Sequence, residues 1–186
     1  TCGEAPYMVS RYDTVTGQAL ALEERVGFLD RKLQRLSQEV HEEKAWFQGA
    51  VTAYQDSYGY EFQGDSLLLA RENLFASFID YYQAKFAQEP SSSQKKTIAR
   101  IISFNVLQMD GLTYISPYSE HAGDAVQLSL FEEIAEQTSQ PQKAKIKDWK
   151  TNELIDFERL SQGETAMKFD VVIGNPPYQE EAQRTS

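Results

Sequence analysis

The stretch Lys168-Phe169-Asp170-Val171-Val172-Ile173-Gly174-Asn175-Pro176-Pro177-Tyr178 decides how this chain is read. Its first half is apolar and β-branched, the composition of a strand buried on both faces of a parallel sheet. Its second half holds two consecutive prolines, which cannot donate to a ladder or easily open a helix, so the backbone is forced into a fixed turn at the strand's end. Open α/β sheets bind ligands outside the carboxyl ends of their strands. Asn175 to Tyr178 is therefore expected at the ligand-binding edge of an α/β fold.

The same rule points to the ends of earlier strands. Tyr58-Gly59-Tyr60-Glu61-Phe62 is a short aromatic run that favours a strand, ended by Gln63-Gly64-Asp65, which puts Glu61 and Phe62 at its carboxyl end. Ser103-Phe104-Asn105-Val106-Leu107 reads as the next strand and delivers the chain into Met109-Asp110-Gly111-Leu112. At the start of the sequence, Thr1, Gly3 and Ala5 are small residues that would let backbone amides approach a ligand.

Helices are expected between these points. Val26, Leu29, Leu33, Leu36 and Val40 recur at helical spacing within Glu23 to Val40, and Ala45, Trp46, Ala50, Ala53 and Tyr54 give an apolar side to a second helix from about Glu42. Trp46 is read as core. A long helix capped by Asp65 or Ser66 should carry Leu67, Leu74, Phe75, Phe78, Ile79, Tyr82 and Phe86 on one side, stopping at Glu89-Pro90, with the triple serine that follows as a loop. A further helical segment is expected around Lys95 to Ile102. From about residue 116 to 150 the pattern weakens and reads as an irregular insertion.

The 186 residues suit one domain. Cys2 is the single cysteine and His41 and His121 the two histidines, so an intramolecular disulfide is excluded and no metal site is expected. No apolar run approaches the roughly 20 residues of a membrane span, so a cytoplasmic protein with no membrane partner is expected. The net charge of −10 opposes direct gripping of a polyanion, because nucleic-acid affinity comes largely from Lys and Arg.

Asn175-Pro176-Pro177-Tyr178 resembles the turn after the fourth strand of amino-methyltransferases, and Thr1-Cys2-Gly3-Glu4-Ala5-Pro6-Tyr7 resembles their loop beside the methionine part of the cofactor, with Ala5 in place of a common second glycine. Together with Tyr58-Gly59-Tyr60-Glu61 and Gln108-Met109-Asp110-Gly111, these stretches resemble the gamma-class adenine-N6 methyltransferases of bacterial restriction-modification systems, especially their large restriction enzyme and methylase polypeptides. The resemblance spans nearly the whole chain. It implies a Rossmann-like, S-adenosylmethionine-dependent methyltransferase fold with a mostly parallel sheet flanked by helices. The first strand and later strands would be missing from residues 1–186, which read as a partial catalytic domain with a helical insertion at about 10–55. A separate target-recognition domain would supply the basic, base-reading surface that answers the charge objection. Lys143, Lys145, Lys147 and Lys150 would be an edge of that surface or a solvated loop. The role of the 10–55 insertion is left open, with a restriction or specificity subunit as one partner it could support.

In that frame the residue types make chemical sense. An adenine amino nitrogen is a poor nucleophile because its lone pair is delocalised, so accepting hydrogen bonds from both its hydrogens helps; Asn175 Oδ1 and the Pro176 carbonyl are two such acceptors, held by Pro177. The base must leave the duplex, and Tyr178 offers a ring to hold it. Thr1, Cys2 and Gly3 would approach the methionine part of S-adenosylmethionine, Glu61 would accept from its ribose hydroxyls, Phe62 would pack on its adenine, and Asp110 with Gly111 would receive the adenine amino group. The expected function is site-specific methylation of a flipped adenine in duplex DNA. The alternatives are a methyltransferase acting on RNA or a protein amide, and a non-catalytic scaffold fragment.

Overall fold

The computed structural model describes residues 8–116 and 142–173. Four helices form its packed layer: α1 (Phe28–Glu39), α2 (Glu43–Gln55), α3 (Gly64–Phe86) and α4 (Ser92–Asn105). Their apolar positions follow the helical period, as in Leu67, Ala70, Leu74, Phe78 and Tyr82 along α3, all of them buried. Trp46 of α2 is fully buried; its ring meets Tyr82 and Phe86 edge-on at 5.7 and 5.6 Å, and its indole N–H donates to the Ser37 hydroxyl. The apolar bulk is thus packed while the polar edge keeps a partner.

Two short strands, β1 (Gly59–Glu61) and β2 (Val106–Gln108), pair in parallel in the register Gly59 with Val106, Tyr60 with Leu107 and Glu61 with Gln108. A parallel pair needs a long crossover, here supplied by α3 and α4. Beyond them lie β3 (Ile115–Ser116) antiparallel to β4 (Gln142–Lys143), and β5 (Lys145–Asp148) antiparallel to β6 (Glu153–Asp156), followed by the short helix α5 (Phe157–Ser161). The described residues are thus mixed α/β, with the strand pair set against the helical layer.

Several expectations are corrected. α4 runs on through Ser103, Phe104 and Asn105, so the second strand starts at Val106. Asn105 carries the reason: its amide reaches the carbonyls of Tyr54, Gln55 and Ser57 at 2.9 to 3.1 Å, a buried side-chain anchor that rewards the helical backbone there. The serines before α4 are not simply a loop, since Ser91 caps the helix in a reciprocal box with Gln94 while Ser92 and Ser93 begin its first turn. The N-cap of α3 is Gln63, and Asp65 lies inside the first turn, where its carboxylate accepts from the Ser66 amide.

The run Lys168 to Ile173 makes no strand. Val171, Val172 and Ile173 are 72%, 85% and 54% exposed, and among the described residues none provides them with a ladder. An apolar run becomes a buried strand only where neighbours offer backbone pairing and cover. Phe169 does find a partner, packing edge-on against Tyr58 at 5.3 Å, just before β1.

Within the stretch expected to be irregular, residues 142–148 carry strands, and residues 117–141 lie outside the described ones. Lys147 does not join a basic surface: it is buried, its ammonium donates to the Asn152 carbonyl, and it lies over the rings of Phe104 and Trp149. Lys143 is paired with Glu158 at 2.9 Å.

Candidate functional site

Parallel pairing sends β1 and β2 out of the sheet at the same end, so whatever follows each strand emerges side by side, with strands about 4.8 Å apart. Glu61 is the last residue of β1, and Asp110 stands two positions beyond Gln108, its register partner. The pairing continues one step past β2, where the Met109 amide donates to the Glu61 carbonyl at 3.1 Å. The structure therefore brings Glu61, Phe62, Asp110 and Gly111 to one edge.

Each carboxylate is held by its own loop. Glu61 Oε1 accepts from the amides of Phe62 and Gln63 at 2.9 and 3.2 Å, which fixes the group and, among the described residues, leaves Oε2 to accept from a ligand. Asp110 Oδ1 accepts from the Leu112 amide at 2.8 Å, with the Thr113 amide at 3.4 Å. Those bonds, the Leu112 amide foremost, lower the pKa of Asp110 from its ordinary value. At neutral pH it is an anionic acceptor, suited to amino or hydroxyl hydrogens.

The two loops are tied together. Gln108 donates from its side-chain amide to the Phe62 carbonyl at 3.1 Å, and the Asp110 amide donates to the Ile115 carbonyl at 3.0 Å. Gly111 is pressed close to Tyr60, whose ring would lie 3.1 Å from any added Cβ, so a side chain there would push the ring aside. The Tyr60 ring also meets Phe157 at 6.1 Å, and Tyr114 meets the other side of that cluster at 5.6 Å from Phe157. Phe62, by contrast, is 64% exposed and offers a free face beside Glu61.

Sequence reasoning missed Tyr60, Tyr114 and Phe157 as the ring cluster that backs Gly111. Tyr60 alternates with Glu61 in β1 and could have been assigned to the opposite face by strand period, whereas Tyr114 and Phe157 come together through β3 and β6, which periodicity did not reveal. Thr1, Cys2 and Gly3, and likewise Asn175, Pro176, Pro177 and Tyr178, lie outside the described residues.

No helix among the described residues is long and apolar enough to cross a membrane. No curated protein and no solved structure matches the chain. Residues 55–186 match the family model described as Eco57I restriction-modification methylase. That span holds β1, β2, both acidic strand ends and the sequence Asn175-Pro176-Pro177-Tyr178, and it covers well over half of the residues. The chain belongs to the Eco57I restriction-modification methylase family.

Proposed function

We propose that this chain is the cofactor- and base-handling core of a methyltransferase with a Rossmann-like fold that transfers a methyl group from S-adenosylmethionine to the exocyclic amino group of adenine in DNA. The observation that carries this reading is the pair of carboxylates at neighbouring ends of two parallel strands, Glu61 and Asp110, in a chain of a restriction-modification methylase family. The acceptors present fit the group. A nucleoside presents a vicinal diol and an amino group, and a fixed carboxylate at Glu61 and an anionic one at Asp110 are acceptors for those two features. The exposed Phe62 ring is placed to cover a purine face.

S-adenosylmethionine, when bound, supplies a methyl carbon on a sulfonium. The chain's own residues orient the acceptor. In this reading Asn175 Oδ1 and the Pro176 carbonyl would accept from the two amino hydrogens and aim the nitrogen, while the Tyr178 ring would hold the extruded base. Thr1, Cys2 and Gly3 would approach the cofactor's methionine part. Duplex DNA is the partner in this reading, and base recognition lies with surfaces beyond these residues.

The test is methyl transfer by the full-length protein to duplex DNA, RNA and protein in parallel. Adenine in DNA should take the methyl group. Asn175→Ala should leave the affinity for S-adenosylmethionine within about twofold while lowering kcat by about a hundredfold or more, the scale of losing one acceptor at the reacting atom. Equal turnover by the variant, or methyl groups found on RNA or a protein amide in place of DNA, overturns the assignment.

A further inference from the structure

Among the described residues other than glycine, Ala87, Tyr114 and Asn152 have a positive φ. Ala87 is the left-handed cap that ends α3, and asparagine adopts this region more readily than most residues. Tyr114, at φ 57°, is the bulky exception, and a large side chain is strained there. It stands in the loop that leaves Asp110. The Tyr114 amide donates to the Asp110 carbonyl at 2.9 Å, and the Tyr114 carbonyl accepts from the Ala144 amide at 2.8 Å. The loop closes where the Asp110 amide donates to the Ile115 carbonyl at 3.0 Å. What a glycine could not supply at this position is the ring. Tyr114 packs on Phe157 with centroids 5.6 Å apart, Phe157 meets the Tyr60 ring at 6.1 Å, and Tyr60 abuts Gly111 and directly precedes Glu61 in β1. Three rings thus run from the residue beside one carboxylate to the loop of the other. Phe157 is itself fixed from a further direction, since its amide donates to the Ala144 carbonyl at 2.9 Å.

A strained backbone persists only where the contacts around it over-determine it. Here those contacts converge on the turn that presents Asp110. We propose that Tyr114 is a positioning residue for Asp110: its ring, seated on Phe157, holds the loop 110–115 in the arrangement that sets this carboxylate against Glu61, so that one nucleoside can engage both. Glu61 then takes the diol and Asp110 the amino group. This brings Tyr114 and Phe157, which belong to neither parallel strand, into the support of the cofactor site, and it rests on the methyltransferase reading above.

The test is calorimetric titration of the full-length protein with S-adenosylmethionine, at a temperature where circular dichroism shows every variant folded. Tyr114→Gly adopts the positive φ freely but loses the ring, so affinity should fall about tenfold, the scale of weakening one hydrogen bond to a charged group. Tyr114→Phe keeps the ring and its packing and should stay within about twofold of the parent. A double-mutant cycle separates positioning from general loosening. Asp110→Asn retains the oxygen that holds the Leu112 amide and turns the other into a donor. In that background Tyr114→Gly should cost less than about twofold, because the acceptor it positions is already gone, whereas in a Glu61→Gln background it should still cost about tenfold. Phe157→Leu removes the middle ring while keeping apolar bulk; it should repeat this pattern and keeps the question answerable if Tyr114→Gly does not fold. Affinity within about twofold of the parent in Tyr114→Gly or Phe157→Leu, or an equal loss in the Asp110→Asn background, overturns the proposal. A parent protein that binds no S-adenosylmethionine overturns the methyltransferase reading instead.

Discussion

Trp46 and Phe62 are aromatic residues with opposite surroundings. Trp46 has no exposed surface and is closed in by Phe78, Tyr82 and Phe86, whereas Phe62 is 64% exposed at the end of β1. The same contrast holds between their neighbourhoods. In the helical layer apolar side chains are buried and polar ones are tied down, as with the Tyr54 hydroxyl on the Leu74 carbonyl or Arg11 and Arg25 on Asp80. At the strand ends Glu61 and Asp110 are each held through one oxygen by their own loops, and the Phe62 ring stays exposed. On the proposed function, stability and ligand binding are divided between two parts of one chain, and the division can be attacked from either side.

The largest effect should come from the helical layer. Trp46→Ala removes the ring around which α1, α2 and α3 close, and a cost of about 3–5 kcal/mol is expected, read as a lowered midpoint in urea unfolding. A loss below about 1 kcal/mol would mean that the layer is not the main source of stability.

The strand edge should answer in the other currency. Glu61→Gln keeps size and one acceptor oxygen but removes the charge, so folding stability should move by less than about 0.5 kcal/mol while affinity for S-adenosylmethionine, read by calorimetry, falls about tenfold. If stability falls as much as affinity, the edge is structural and the division between the two regions fails.

The smallest effect concerns pH. Burial, foremost, raises the pKa of Asp30 above its ordinary value, against the opposing Ser10 amide and Arg25. The folded state then holds a proton more tightly than the unfolded one. The associated stability is fully present below the unfolded value of 3.8 and is lost as pH rises through the folded value. Relative to Asp30→Asn, the parent should therefore gain stability on acidification toward that range, measured as the pH dependence of the difference in unfolding free energy. A flat or opposite trend would show that Asp30 is paired more fully than its orphaned Oδ1 indicates.

Much of the helical layer was legible because its signal is repeated. Leu29, Leu33 and Leu36, or Leu67, Leu74 and Phe78, state the same period several times over. The strand ends at Glu61 and Asp110 were legible for a different reason, since an aromatic run or a helix stop is followed at once by turn residues. The boundary of α4 was not, because the feature that extends it is a tertiary anchor at Asn105, invisible to a local pattern. β5 escaped for a related reason: Lys145-Ile146-Lys147-Asp148 shows one apolar residue, and the burial of Lys147 depends on Phe104, Trp149 and the Asn152 carbonyl arriving around it. The run Val171 to Ile173 erred in the other direction, since composition reports a preference for cover and pairing but not whether they are met. Ser10 and Asp30 went unremarked, because a cap provided from seventeen to twenty residues away leaves no spacing to recognise.

The Asn105 side chain bears on how freely parts of this protein could be exchanged. Its amide nitrogen grips three carbonyls across Tyr54 to Ser57 while its oxygen takes the Trp149 indole N–H at 2.7 Å, so a single residue rivets the join where the family-matched span begins to a hairpin far along the sequence. A chimera that swaps the preceding helices for those of a relative would succeed or fail on that junction: conserve its length and the rivet closes, delete one residue and all three carbonyls lose their common partner together.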